Sequence, residues 1–170
     1  MRSSAVCETA LPRLTQHTSI LILCAVTAYG WITLLWVDDL QMDAQSEKLL
    51  VHIISNARIA ALGTIRDEAP RVSMVAFVAA YDFSAFYVHV NRLAQHTLDM
   101  QKNKQVSLLI AEADDGRADP QTLARISIRG SAEFMENGEP GYAPVKNQYI
   151  ERFSESEPLF KLADFGLWRI

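Results

Sequence analysis

Residues 125–134 read RISIRGSAEF and alternate between apolar or small side chains and polar ones. A period of two residues is typical of a β-strand with one face in a core and the other in water. Such a strand needs hydrogen-bonded neighbours, so the chain is expected to build a sheet around it.

Five further segments are rich in the apolar, β-branched and aromatic residues that suit a pleated surface. The charged and proline-containing RDEAP and the polar YDFS separate the first three of them, and both read as turns. The segments cover residues 57–65, 71–80, 85–91, 104–113 and 164–170. The first three segments therefore predict a β-meander.

An amphipathic helix is predicted at residues 44–56. Leu49, Leu50, Ile53 and Ile54 recur there at helical spacing. The polar Ser-Glu-Lys stretch that precedes them faces water. The helix opens the segment that we interpret as the domain.

A second helix is predicted at residues 93–103, between two strands. Leu93, His96, Thr97 and Met100 fall on one side of it. Residues 139–162 have a mostly helical pattern as well. Antiparallel strands with short helical insertions favour a mainly β fold, a barrel or sandwich, over a wound parallel sheet.

The chain has 170 residues and a formal net charge of -4. This length suits one domain, at residues 44–170, and an extension at residues 1–43. The acidic balance provides no global positive field for nucleic acid, so a phosphate must be met by local charge. Both cysteines, Cys7 and Cys24, lie in the extension, which argues against a disulfide framework or a cysteine metal site in the domain.

Residues 18–37 form an uncharged apolar run long enough to cross a bilayer as a helix. Three interpretations stay open: a membrane anchor, a mis-assigned or processed extension with Met42 as the true start, and a buried core helix. A signal peptide is less consistent, since no small-residue cleavage site follows. The domain is expected to be cytoplasmic, and membrane association depends on this run being an anchor.

The order of elements, with ALGTI, RVSMVAF, VHVNRLAQHTLDM and KQVSLLIAEA, resembles the pyridoxamine 5'-phosphate oxidase-like flavoproteins. The branch it is most similar to includes haem-utilisation proteins. The most specific part is the strand-to-helix corner NRLAQHT at residues 91–97, where members usually carry serine at the position of Asn91. The resemblance covers residues 49–170 and implies an antiparallel FMN-binding split barrel that forms a homodimer.

The resemblance implies FMN in the groove between subunits, with its phosphate near the corner and its ring along the second strand. A helix N-terminus offers unpaired N–H groups and a positive dipole end, and Arg92 offers a bidentate fork. The implied cofactor-binding residues are Ser73, Met74, Val75, Val90, Asn91, Arg92, Leu93, His96 and Thr97.

Most of these residues also have a simpler interpretation. Arg92 reads equally as a solvated surface arginine and Asn91 as a helix N-cap. His96 and Thr97 read as packing residues of a short helix, and Met74 as core. The residue types alone leave both sets of interpretations open.

Other polar residues are weaker candidates. His89 shares a strand face with the corner and otherwise reads as a surface residue. Ser127 and Arg129 lie on the polar face of the alternating strand, toward a cofactor, a partner or solvent. Asp114 and Asp115 lack the spacing of a cation site, so no metal site is predicted.

The function expected from this resemblance is that of an FMN-dependent oxidoreductase acting on a small molecule, in which the flavin supplies the redox chemistry and no catalytic residue is identified. The Arg-x-His motif of the true oxidases is absent before Ile170, so vitamin B6 synthesis is not expected. The alternatives are a haem-binding or haem-degrading split barrel and a non-catalytic flavin-binding module. The haem-type relatives use a C-terminal histidine and a glycine-rich continuation, so a C-terminal truncation is also expected.

Overall fold

The protein is described here by a computed structural model that covers residues 43–170 and the backbone of Ile20–Leu21. The strands are β1 Ile20–Leu21, β2 Ile59–Arg66, β3 Ala69–Ala76, β4 Val78–Ala79, β5 Phe86–Asn91, β6 Gln105–Ala111, β7 Arg125–Ser131, β8 Glu133–Met135 and β9 Phe165–Arg169. The helices are α1 Ala44–Asn56, α2 Gln95–Lys102 and α3 Tyr142–Arg152, with 3-10 turns at Pro120–Thr122 and Ser154–Lys161.

The strands form two antiparallel sheets. The five-stranded sheet has the order β1-β7-β6-β2-β3 and the four-stranded sheet the order β4-β5-β9-β8. The chain passes from the first sheet to the second at Phe77, between β3 and β4, and again at Ala132, between β7 and β8; both residues are fully buried. This mainly β, antiparallel architecture confirms the predicted split-barrel fold.

The main core lies between the two sheets and beneath α1 and α2. Burying a large aliphatic or aromatic side chain contributes roughly 1.5–3 kcal/mol, so this cluster is the principal source of stability. A smaller cluster covers the opposite face of the four-stranded sheet under α3. The main core includes Leu62, Phe77, Val88, Met100, Leu108, Ile110 and Ile126, and the smaller one Val78, Met135, Val145, Tyr149 and Leu167.

Helix α1 has the predicted bounds and orientation. Asp43 is its N-cap, and the carboxylate accepts hydrogen bonds from the N–H groups of Gln45 (2.9 Å) and Ser46 (3.0 Å). Ile53 and Ile54 are buried in the main core, as their spacing predicted.

Two local predictions were wrong. The turn between β2 and β3 contains only Asp67 and Glu68, because Pro70 already pairs with Ile65 on β3, an edge strand where a missing N–H is tolerated. The alternation of residues 125–134 also breaks after Ala132. Met135 is buried there and Phe134 is partly exposed, since β8 has left the sheet of β7.

Most of the apolar run at residues 18–37 lies outside the described residues, as do Cys7 and Cys24. Its described part, Ile20–Leu21, is extended and pairs with Ile128 and Ser127 of β7. Among the helices of residues 43–170, none has the length and apolar character to cross a membrane.

Candidate functional site

The strand-to-helix corner between β5 and α2 is held by Asn91. Its carbonyl accepts hydrogen bonds from the Ala94 N–H (3.1 Å) and the Thr97 hydroxyl (2.7 Å), and its side-chain Oδ1 accepts one from the Leu93 N–H (2.8 Å). Ala94, rather than Asn91, is the N-cap of α2, so the N-cap interpretation of Asn91 was wrong. Asn91 instead shapes the turn that precedes the helix.

The donors that this corner leaves free are the backbone N–H groups of Gln95 and His96. Neither finds an acceptor among residues 43–170, whereas the Arg92 N–H already donates to the Asp164 carbonyl at 2.6 Å and the Leu93 N–H to Asn91. Unpaired N–H groups in the first turn of a helix attract anions. An anion would therefore meet the backbone at Gln95 and His96, of which the sequence prediction included only His96.

Arg92 contributes a cation at the same corner. Its side chain is exposed, and the guanidinium lies 5.1 Å from the centre of the Phe134 ring. Arg92 makes no ion pair with any acidic side chain in the described part of the chain. Its charge is therefore available to a ligand.

Thr97 and His96 differ in what they offer. Thr97 is fully buried and its hydroxyl donates to Asn91, so donation to a phosphate would require breaking a bond that closes the corner. His96 is half-buried. Burial lowers the pKa of its imidazole while the nearby charge of Asp99 opposes that shift, and its buried Nε2 has no partner among the described residues.

A buried polar network anchors α2 to β2. The Thr64 hydroxyl donates to Oδ2 of Asp99 (3.0 Å), and Nε of Arg66 lies 2.7 Å from Oδ1, as an ion pair that lacks hydrogen-bond alignment. Asp99 is fully buried, and an unpaired carboxylate there would be costly. The sequence prediction missed this network, because the hydrogen bond joins residues 35 positions apart.

The strand predicted to border the flavin ring is β3. Val75 is buried and Ser73 half-buried on its inner face, while Met74 points outward with 70% of its surface exposed. Arg71 pairs with Thr64 across the two strands and so shares its inner face. Arg71 also lacks an acidic partner among residues 43–170. The sequence prediction did not include Arg71 among the cofactor-binding residues.

Of two apolar residues predicted for the site, one is part of the packing and the other is exposed. Val90 belongs to the main core, and Leu93 is exposed, with 76% of its surface in solvent, rather than on the buried side of α2. His89 is buried against the ring of Phe160, so its interpretation as a surface residue was wrong.

The remaining weak candidates do not converge on the corner. Ser127 and Arg129 face away from the core on β7, and Arg129 is exposed. In the acidic loop, Asp115 pairs with Arg117 at 2.8 Å, and this contact holds the pKa of the Asp115 carboxyl at about 2.

Two open grooves lie elsewhere on the protomer. One, of about 590 Å³, runs between α1, β4 and α3, and the other, of about 480 Å³, lies beside Phe134 and Trp168. Neither is lined by a predicted site residue. The corner itself is exposed, and Arg92 supplies a positive charge there that is suited to binding a phosphate monoester.

The chain crosses between two antiparallel sheets at Phe77 and Ala132, and a corner with free N–H groups follows β5. This arrangement defines a split-barrel protein with a candidate phosphate site. The chain belongs to the pyridoxamine 5'-phosphate oxidase family, whose model matches residues 46–167. Comparison with the curated proteins gives no match.

Similar solved structures include haem and flavin proteins. HutZ, the haem storage protein from Vibrio cholerae, is 25% identical, with a TM-score of 0.66 over 72% of this chain and 87% of that one. ChuZ from Campylobacter jejuni is 20% identical, with a TM-score of 0.65 over 75% and 53%. An FAD-binding protein from Mesorhizobium loti is 14% identical, with a TM-score of 0.57 over 72% and 84%. The last two similarities concern the fold alone.

Proposed function

We propose that this protein binds FMN and is an oxidoreductase that passes electrons to or from a small molecule. The observation that carries the proposal is the corner of β5 and α2, where the free N–H groups of Gln95 and His96 and the unpaired guanidinium of Arg92 suit a phosphate monoester. Membership of the family supports a flavin as the molecule that carries this phosphate. FMN, when bound, supplies the electron transfer, and the protein supplies orientation and control of water.

The ring of the flavin is placed along β3 in this proposal. The backbone of Ser73, Met74 and Val75 borders it, and β3 is an edge strand whose outer side has no strand partner among the described residues. Peptide N–H and C=O groups of this kind complement the polar edge of an isoalloxazine ring. In this proposal a second subunit excludes water from the ring.

A homodimer supplies that second subunit. The outer face of the five-stranded sheet carries an exposed apolar surface, here termed the outer patch, and such a surface is typical of an interface. The outer patch consists of Ile59, Ile65, Val72, Met74 and Leu109. It includes β3, so dimerisation would bring a second protomer to the proposed ring site.

Titration of the purified protein with FMN and with riboflavin tests the flavin proposal. We expect a flavin absorption spectrum and tighter binding of FMN than of riboflavin, because only FMN carries the phosphate. A protein that remains colourless and binds neither compound would contradict the proposal. Oxidation of a reduced nicotinamide by the FMN-loaded protein would separate an oxidoreductase from a non-catalytic flavin-binding module.

Haem binding is the second candidate function, and the similarity to HutZ favours it. The histidines within residues 43–170 are His52, His89 and His96. His89 is packed among aromatic rings, so an axial ligand from residues 43–170 would be exposed His52 or His96 after rotation of its ring. A haemin titration followed at the Soret band tests this candidate, and an unchanged band at stoichiometric haemin would remove it.

A further inference from the structure

Asp99 is a fully buried carboxylate on the short helix α2. The Thr64 hydroxyl donates to Oδ2 at 3.0 Å, and Nε of Arg66 lies 2.7 Å from Oδ1 as an ion pair without hydrogen-bond alignment. Desolvating such a pair costs about as much as the attraction returns, and apolar residues of similar volume often stabilise a fold as well or better. The stability of the fold therefore does not by itself account for this ion pair.

The pair determines which way the Arg66 guanidinium points. Asp99 contacts the guanidinium at Nε, 2.7 Å from Oδ1 and without hydrogen-bond alignment, which leaves Nη1 and Nη2 to other partners. These two nitrogens contact the side chain of Gln95, whose amide oxygen faces them in the orientation that satisfies both groups. Gln95 is the first residue of α2, so the outer edge of the guanidinium lies beside the turn with the free N–H groups.

We propose that Arg66 is a phosphate-binding residue and that Asp99 is the residue that positions it. This inference rests on the proposed FMN function and deepens it. Only 18% of the Arg66 side chain is exposed, and its orientation is set before a ligand arrives, so little side-chain freedom is lost when it binds. A dianionic phosphate is a stronger acceptor for Nη1 and Nη2 than the neutral Gln95 amide and displaces it.

Replacement of Arg66 by an uncharged residue tests the phosphate contact. Arg66→Gln is expected to weaken FMN binding by about ten- to one-hundred-fold, the value of a charge-assisted hydrogen bond, and to leave riboflavin binding unchanged within about twofold. Arg58→Gln is the matched control, because Arg58 precedes the opposite end of β2. This variant should bind both flavins like the wild type.

Substitution of Asp99 tests the positioning role. Asp99→Asn can still accept from Thr64 but no longer pairs with Arg66, so FMN binding should weaken by less than in Arg66→Gln and riboflavin binding should persist. Combining the two substitutions should add little further loss, because Asp99 acts through Arg66. If Asp99→Asn or Arg66→Gln fails to fold, the fork-deficient Arg66→Lys, which keeps a cation beside Asp99, decides the matter and is expected to bind FMN more weakly than the wild type while riboflavin binding is unchanged.

The outcomes separate this inference from the flavin proposal. Equal losses of FMN and riboflavin binding, or unchanged FMN binding in Arg66→Gln, would overturn the role of Arg66. If the wild type binds neither flavin, the flavin proposal fails, and inorganic phosphate then tests Arg66 directly through the amide NMR shifts of Gln95 and His96. Shifts that disappear in Arg66→Gln would support the inference, and shifts that persist or never occur would overturn it.

Discussion

His89 is a histidine enclosed by aromatic rings on the outer face of the four-stranded sheet. Its ring stacks on Phe160 with centroids 3.7 Å apart and meets the edge of Tyr149 at 5.8 Å. Burial, with a smaller contribution from the charge of Lys146, lowers the pKa of this imidazole from 6.5 to about 4. Between about pH 4 and pH 6.5, the folded protein therefore holds His89 neutral, whereas an exposed histidine would be charged.

For this reason the free energy of unfolding should decrease as the pH is lowered below 6.5. Above pH 6.5 the His89 ring is neutral in both states, and between pH 6.5 and about 4 only the unfolded state takes up the proton, which favours unfolding by about 3 kcal/mol at the lower limit. Replacement His89→Phe should remove this part of the pH dependence, as measured by urea unfolding at several pH values. His52→Gln, at an exposed histidine, is the control and should retain the wild-type dependence of the free energy of unfolding on pH. An unchanged pH dependence in His89→Phe would refute the lowered pKa of His89.

Arg92 is the corner residue whose effect on FMN binding should be largest among those predicted from sequence. Its guanidinium has no acidic partner among the described residues, so Arg92→Ala removes a charge-assisted contact and should weaken FMN binding by about 1.5–3 kcal/mol. Fluorescence titration of FMN measures the loss, and Arg58→Ala is the control. Wild-type affinity in Arg92→Ala would place the phosphate elsewhere.

Local residues of the corner were predictable and distant ones were not. Asn91 and Arg92 stand out in the sequence because a polar corner between a strand and a helix is a contiguous pattern. The pairing of Arg66 with Asp99 depends on how α2 folds back over β2, which no local pattern contains. Burial likewise decides that Thr97 supports the corner from inside.

The β2–β3 turn shows how one element can be improved. Asp67 and Glu68 both have positive φ angles, 49° and 64°, as in the two-residue turns that favour glycine or asparagine. Glu68→Gly should raise the free energy of unfolding by about 0.5–1 kcal/mol, measured by chemical denaturation, since a side chain at positive φ is strained. Glu151→Gly, the same substitution on α3, should lower stability instead; a lower stability in Glu68→Gly would contradict the turn assignment.

At the scale of elements, periodicity identified the strands but could not assign them to sheets. The apolar character of residues 71–80 continues through Phe77, where the chain changes sheet, because Phe77 is buried between the two. The same holds at Ala132, where the alternation continues in sequence while the hydrogen-bonding partner changes from β6 to β9. Helix α1 was predicted correctly because its apolar face is a local sequence pattern.

The association state of the whole protein depends on whether a second copy covers the outer patch. Val72 and Met74 of β3 are 76% and 70% exposed, and the register places them opposite Gly63 and Ala61, which leaves a flat apolar surface next to Leu109. An exposed apolar sheet face beside an edge strand favours association with a second copy. The proposed homodimer would use this face.

A lysine in the outer patch should therefore dissociate the proposed dimer. Val72→Lys places a charge where the partner would exclude water, and we expect its dimer dissociation constant to rise at least about one-hundred-fold in sedimentation or light-scattering measurements. Leu162→Lys is the matched control, because Leu162 is similarly exposed but lies off the sheet, and its association should match that of the wild type.

FMN binding by Val72→Lys then tests whether the ring site needs both subunits. The proposed phosphate site lies within one protomer, so the monomeric variant should keep the difference between FMN and riboflavin. It should bind both more weakly, since the proposed ring site would lose the wall that the partner supplies. A monomeric variant with wild-type affinity for both flavins would place the whole site in one protomer. A wild type that is already monomeric at the concentrations used for flavin binding would contradict the homodimer itself.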